Sequence, residues 1–277
     1  MRNSRSPLLA ELHAHTTWSD GALTVRELVD LVGSRGFDVL CVTDHVVRSD
    51  DPWLRARTAG DVGVTLERYP AYRAELEREA TRAEVLYDLL LLPGLELTYN
   101  DRDPHRAAHA VAIGLEEHIG VDRGIVSAVL DAARAGAAVV AAHPYQDERA
   151  HVEARLTQRW AQDEGLRGLA HRFELFNRDQ LFGWVAEERL PCVATGDVHQ
   201  PSHVAGWKTL VPCAKDAAAV VEYPRSPRPV YLARVEDGIE RLAAQRREPS
   251  TSQAPGPACA SPSAGRRTRS RRSGSRG

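Results

Sequence analysis

Near-continuous apolar runs of strand length alternate with amphipathic stretches about seven times along this chain, and this pattern limits its fold more than any other feature. Leu8–Leu12 reads as a first strand and ends in His13-Ala14-His15. Thr24–Arg35 reads as a helix, with Val25, Leu28, Val29, Leu31 and Val32 at helical spacing, a Thr24/Glu27 capping box and Gly36 as its stop. Phe37–Val42 is apolar throughout, as in a strand covered on both faces. Residues 50–63 read as a loop and Leu66–Tyr87 as a long charged helix. Asp88–Leu97, His109–Leu115, Ala137–Ala142, Gly168–Phe176 and Leu190–Thr195 complete seven strands, and Lys208–Pro212 adds a short further one. Helices are expected at Arg123–Ala135 and Val152–Glu164. Strand, helix and short link in repetition predict parallel strands joined by crossovers. A β/α barrel and an open doubly wound sheet both satisfy the pattern. No GxGxxG or Walker loop follows the first strand, which weighs against a nucleotide-cofactor sheet.

A single domain over residues 1–245 accounts for the alternation, and an α/β barrel of that size is ordinary. Residues 48–88 are long for one β/α connection and are a candidate lid insertion, with Trp53, Tyr69 and Tyr72 either over the site or packing the helix onto the barrel. Residues 246–277 are Pro, Ser, Gly, Ala and Arg, a composition expected to stay disordered. That tail carries eight Arg against one Glu, so the net charge of −2 conceals a body near −9. An acidic body argues against a broad nucleic-acid surface; nucleic acid enters only as a substrate or through the basic tail. No apolar run is long enough to span a membrane, and the short apolar stretch at the N-terminus does not read as a secretory signal, so the expectation is a cytoplasmic protein. Cys41, Cys192, Cys213 and Cys259 form no CxxC pair and read as reduced thiols rather than a disulfide frame or a zinc–thiolate site.

The chemistry sits where strands end. His13 and His15, His45, Glu96, His143, and Asp197 with His199 all fall at or near the C-terminal ends of expected strands, and His109 lies at the start of one. In a parallel β/α barrel those ends converge on one face. His13-x-His15 and Asp197-x-His199 each put two side chains on one face of an extended segment. Asp20, in Trp18-Ser19-Asp20-Gly21, either folds back over the site or serves as a turn or helix cap. Asp44 is a ligand or orients one from behind. Glu96 interrupts an apolar strand, and a buried carboxylate needs a partner that bridged cations would supply. Nitrogen and oxygen donors in this number exceed what one zinc uses and suit two or three divalent ions such as Mn, Fe or Zn. No GxSxG motif offers a competing nucleophile.

HxHxxxSDG at His13–Gly21, TDH at Thr43–His45, GLE at Gly94–Glu96, HxxxxG at His109–Gly114, AHP at Ala142–Pro144, ELFN at Glu174–Asn177 and GDVH at Gly196–His199 occur in this order. The set resembles the PHP superfamily, named for polymerase and histidinol phosphatase. The resemblance implies a distorted seven-stranded parallel β/α barrel and a two- or three-metal site. It implies that His13, His15, Glu96 and Asp197 hold one metal, that Glu96, His109 and His143 hold a second with Glu96 bridging, and that Asp20, His45 and His199 hold a third. Glu174 and Asn177 are expected to shape the pocket rather than bind metal.

The activity expected is hydrolysis of a small phosphorylated metabolite or nucleotide by water activated at the metals, with Asp44 or His199 handling the leaving-group proton. Arg102, Arg106, Arg178 and Lys208 are the candidate substrate clamps. Two alternatives stand beside it: a carboxyl-ester, carbamate or amide hydrolase on the same metals, which the HTTWSDG and HxxxxG wording also resembles, and a non-catalytic regulatory module.

Overall fold

The computed structural model describes residues 6–51, 63–144 and 155–236. Leu8–Glu11 (β1) and Val39–Val42 (β2) pair in parallel, with Ala10 opposite Val39, because Val25–Ser34 (α1) carries the chain back between them. The capping box of α1 forms: the Thr24 side chain accepts from the Glu27 amide, and Glu27 reaches back to the Thr24 backbone. Val25, Leu28, Val29 and Val32 of α1 are buried, the stripe that its spacing predicts. His45–Val47 (β3) follows directly after β2. Tyr69–Tyr87 (α2) then leads into Leu90–Tyr99 (β4), which pairs in parallel with both β2 and β3. Of the aromatics read as lid candidates, Tyr72 is fully buried and donates from its hydroxyl to the carbonyls of Val42 and Gly94, and Tyr69 is buried beside it. Trp53 lies outside the described residues.

The chain continues through Ala108–Ile113 (β5), Ile125–Arg134 (α3), Ala138–Ala141 (β6), Leu156–Gln162 (α4) and Arg172–Asn177 (β7). Gln180–Leu181 (β8), Gly183–Glu187 (α5), Cys192–Thr195 (β9), Gly206–Val211 (β10), Ala217–Arg225 (α6) and Tyr231–Val235 (β11) complete it. Neighbours run β11-β10-β1-β2-β4-β5-β6-β7-β8, with β3 beside β4 and β9 beside β7, giving eleven strands in one curled sheet. This corrects the expectation of seven parallel strands. β5 is antiparallel to β4 and β6, and β10 is antiparallel to β1 and β11. The short loop from Tyr99 to Ala108 holds no crossover helix, and a parallel return needs a dozen residues or more. β2 and β6 are buried along their whole length, so the apolar runs were legible even where strand direction was not.

The curl brings β9 against β10. Thr209 of β10 accepts from the Ala194 amide at 2.9 Å and donates to the Ala194 carbonyl at 2.8 Å. Beyond the strand ends, Ala14 and Val198 form a parallel bridge, in which His15 donates to the Val198 carbonyl and Val198 to the His13 carbonyl. Among the described residues no helix is long and apolar enough to cross a membrane. Thr209→Val keeps the shape but leaves both polar groups of Ala194 without their partner. The expected cost is roughly 1–3 kcal/mol, read as a lower urea midpoint at unchanged slope; an unchanged midpoint would show that this contact does not close the sheet.

Candidate metal centre

The Ala14–Val198 bridge fixes what lies around it. Both residues are buried in the core, so the side chains flanking them in sequence, His13 and His15 on one strand and Asp197 and His199 on the other, share the opposite face. His45 and Glu96 stand in register across β3 and β4 and add to that face. His109 opens β5, and His143 follows β6. Gly21 lets the turn after His15 close, because a Cβ there would fall 2.4 Å from the His15 carbonyl oxygen; the turn brings Asp20 back toward the histidines.

Three sets of donor atoms result: His13, His15 and Asp197; Glu96, His109 and His143; and His15, Asp20, His45 and His199. All nine residues expected as ligands are in them. In the innermost set His13 Nε2 and His15 Nε2 each lie 3.4 Å from Glu96 Oε2, and 3.5 and 3.3 Å from Asp197 Oδ1. Both of these nitrogens are buried and make no hydrogen bond. Donors about 2.1 Å from one ion at tetrahedral angles stand about 3.4 Å apart, so these groups fit a divalent cation. The other oxygen of Glu96, Oε1, lies 3.1 Å from both His109 Nδ1 and His143 Nε2, so the two oxygens of one carboxylate face two different sets. Asp20 Oδ1 lies 3.4 Å from His45 Nε2 and 3.2 Å from His199 Nε2, at the solvent side of the cluster.

The outward nitrogen of most of these rings has its own acceptor. His13 Nδ1 is 2.8 Å from Glu174, His109 Nε2 is 2.9 Å from Asn100 Oδ1, and His199 Nδ1 is 3.0 Å from the Asp197 carbonyl, while His45 Nδ1 lies between Thr98 Oγ1 at 2.7 Å and Glu96 Oε2 at 2.8 Å. His15 Nδ1 meets Ser19 Oγ, which donates in turn to Asp44. Such partners place the ring proton outside and leave the inner nitrogen free for a cation. Glu174 is the most connected of them: it also accepts from Thr195 Oγ1, the Asn177 amide and the His143 backbone. Thr98 and Asn100 had no signal in the sequence, because the packing at and just beyond the end of β4 brings them to His45 and His109.

The remaining expected residues lie around this cluster. Asp44 is fully buried behind it and accepts from Thr16 N, Thr16 Oγ1 and Ser19 Oγ, which shapes the turn that carries Asp20. Arg178 donates to both the carbonyl and the carboxylate of Asp197 at 3.0 Å. Arg106 pairs with Asp101 and is largely exposed, as is Arg102. Lys208 is fully buried and pairs with Glu11 at 3.2 Å, which leaves it no free face toward a substrate. His143 and Asp197 have φ of 25° and 42°, a region that non-glycine residues occupy only when neighbours hold them there.

A family model for the PHP domain matches residues 11–175. The chain belongs to the PHP domain family. It is 31% identical over 87 residues to the DNA polymerase/3'-5' exonuclease PolX of Bacillus subtilis, a stretch that is 31% of this chain and 13% of that protein. Its fold is similar to that of a two-domain protein from Bacteroides vulgatus described as containing a predicted PHP-like metal-dependent phosphoesterase. The TM-score is 0.57 at 19% identity, over 83% of this chain and 66% of that one. It is also similar to PsfC from Pseudomonas syringae, with a TM-score of 0.52 at 14% identity, over 87% of this chain and 96% of that one. At these identities the structural likeness speaks for the fold.

Electrostatics within this PHP centre favour cations. Burial opposes ionisation of Glu96 and Asp197, yet the surrounding imidazoles hold both well below the usual carboxylate range. Burial also opposes charge on His45, but Glu96, Asp20 and Asp197 raise its pKa to about 9, while burial and the neighbouring His45 lower His15 to about 3. A histidine with a raised folded value contributes stability that is complete below its unfolded pKa of 6.5 and is lost as pH climbs through about 9. Cation binding needs the same ring deprotonated and runs the other way. Between pH 6.5 and 9 the cation-free protein is therefore expected to lose thermal stability while Mn(II) affinity rises with proton release. Melting curves and calorimetry in buffers of different ionisation enthalpy check this, and a flat Mn(II) affinity would count against it.

Proposed function

We propose that the chain is a metal-dependent phosphoesterase that hydrolyses a small phosphorylated metabolite or nucleotide at a centre of two or three divalent ions, Mn, Fe or Zn. The observation that carries this reading is Glu96, whose two oxygens face separate groups of imidazoles, buried on one side and partly exposed on the other, and so suit adjacent cations. Cations held there would lower a water pKa toward neutrality and offset charge on a phosphoryl oxygen.

The protein's own groups do the rest. His13, His15, Glu96 and Asp197 would hold an inner cation, Glu96, His109 and His143 one beside it, and Asp20, His45 and His199 a third at the rim. His199 is the partly exposed imidazole there, next to Asp20, which makes its Nε2 the proton donor to the leaving oxygen when only the two inner positions are filled. Asp44 reaches that proton only indirectly, through the turn that it holds. Arg178 steadies Asp197 and, with its guanidinium partly exposed, meets a phosphate oxygen from that side. Arg102 and Arg106, on the loop after β4, bind more distal anionic parts of the substrate.

The deciding experiment gives manganese-loaded protein p-nitrophenyl phosphate and p-nitrophenyl acetate in parallel. The phosphate ester is expected to be cleaved, and His143→Ala to cost more than the roughly 10–100-fold usual for losing a partner behind a ligand. Cleavage of the acetate alone, lost in the same variant, would sink the phosphoesterase in favour of a carboxyl-ester or carbamate hydrolase.

A further inference from the structure

Glu11 and Lys208 are both inaccessible to solvent, with Oε2 and Nζ 3.2 Å apart, and neither belongs to the three sets of cation donors. Isolating two charges from water is costly, and an apolar pair of similar volume is often no less stable. Stability alone is therefore a weak reason for this pair, and its contacts offer a better one. Glu11 Oε1 accepts from the His13 amide at 3.1 Å and from the Gly196 amide at 2.9 Å. One oxygen thus ties together the starts of the two segments that carry ligands, His13-Ala14-His15 and Asp197-Val198-His199. On the far side, Lys208 Nζ lies 3.4 Å from the His203 carbonyl and 3.3 Å from that of Ala205, just after His199.

The fit around the pair is close. A Cβ on Gly196 would fall 2.3 Å from Glu11 Oε2 and 2.7 Å from Lys208 Nζ, so a side chain there would displace the pair. The next residue is Asp197, with its left-handed φ of 42°. Among 36 basic residues the chain has only two lysines, and one of them is here. A compact ammonium suits this space where a planar guanidinium does not.

We propose that Glu11 and Lys208 are a positioning pair for the inner cation position. Lys208 holds the Glu11 carboxylate, and Glu11 Oε1 holds the His13 and Gly196 amides, so that His13 Nε2, His15 Nε2 and Asp197 Oδ1 converge. This rests on the reading of those donors as a cation site.

The test titrates full-length, cation-free protein with Mn(II) against a competing chelator, with circular dichroism and melting curves alongside. Glu11→Met/Lys208→Met removes the acceptor oxygen and both charges. It is expected to fold and to weaken one bound ion about 10–100-fold, the range for partners behind a ligand, while the other binding step is unchanged. Glu11→Gln/Lys208→Met is equally uncharged but keeps an oxygen for the two amides, and its affinity is expected to recover most of that loss, short of the unmodified protein because Lys208 no longer holds the side chain. A pair that merely fills space would treat the two variants alike. Equal affinities in both, strong or weak, overturn the proposal. If the double methionine variant does not fold, Glu11→Asp retracts the oxygen by one methylene and keeps the charge; undiminished affinity there overturns it as well. An unmodified chain that binds no Mn(II) would sink the cation site itself, an outcome distinct from a site that binds normally without the pair.

Discussion

A carboxylate at the bottom of a cluster of imidazoles, with no solvent to share its charge, is the constraint on which this structure turns. Glu96 is fully buried, and its oxygens are shared among His13, His15, His45, His109 and His143. Without cations the charge is balanced by protons on some of the rings, His13 and His45 above all. With cations bound, the same groups would serve as ligands and the protons would leave. Either way the cluster needs positive charge inside, and the buried donor atoms without hydrogen bonds mark where it belongs.

Holding this centre requires the sheet to be curled and mixed. The Ala14–Val198 bridge aligns two pairs of candidate ligands from segments nearly two hundred residues apart in sequence. The reversal of β5 puts His109 at the top of its strand although it is the first residues of β5, not the last, that reach the site. The positive φ at His143 and Asp197 is sustained by bonds from their surroundings: the His143 amide donates to Glu174, and Arg178 grips Asp197 by two of its oxygens. Strain of this kind at ligands persists only where neighbouring groups over-determine the backbone.

Membership of the PHP domain family and the donor geometry agree without depending on each other. The family model reaches from Glu11 to Leu175 and so leaves out Asp197 and His199, which the structure nevertheless brings to the same cluster. The centre is thus completed by a part of the chain that lies beyond the matched segment.

The sequence by itself determined where the buried strands run and that α1 is capped at Thr24, because each is a local matter of apolar continuity or capping chemistry, and its ordered motifs singled out the nine candidate donors that the fold brings together. It also marked Glu174 as part of the pocket, although not as the acceptor that fixes His13. It could not show strand direction at β5 and β10, since an apolar run reads the same both ways. Nor could it separate Lys208, closed in with Glu11, from the arginines that do face solvent, since charge in a sequence carries no burial. Only the tertiary structure decided which donors share an oxygen of Glu96, which acceptors orient each imidazole, and that Asp44 stands behind the ligands. Those are relations across strands, fixed by register and curl, and no stretch of chain contains them.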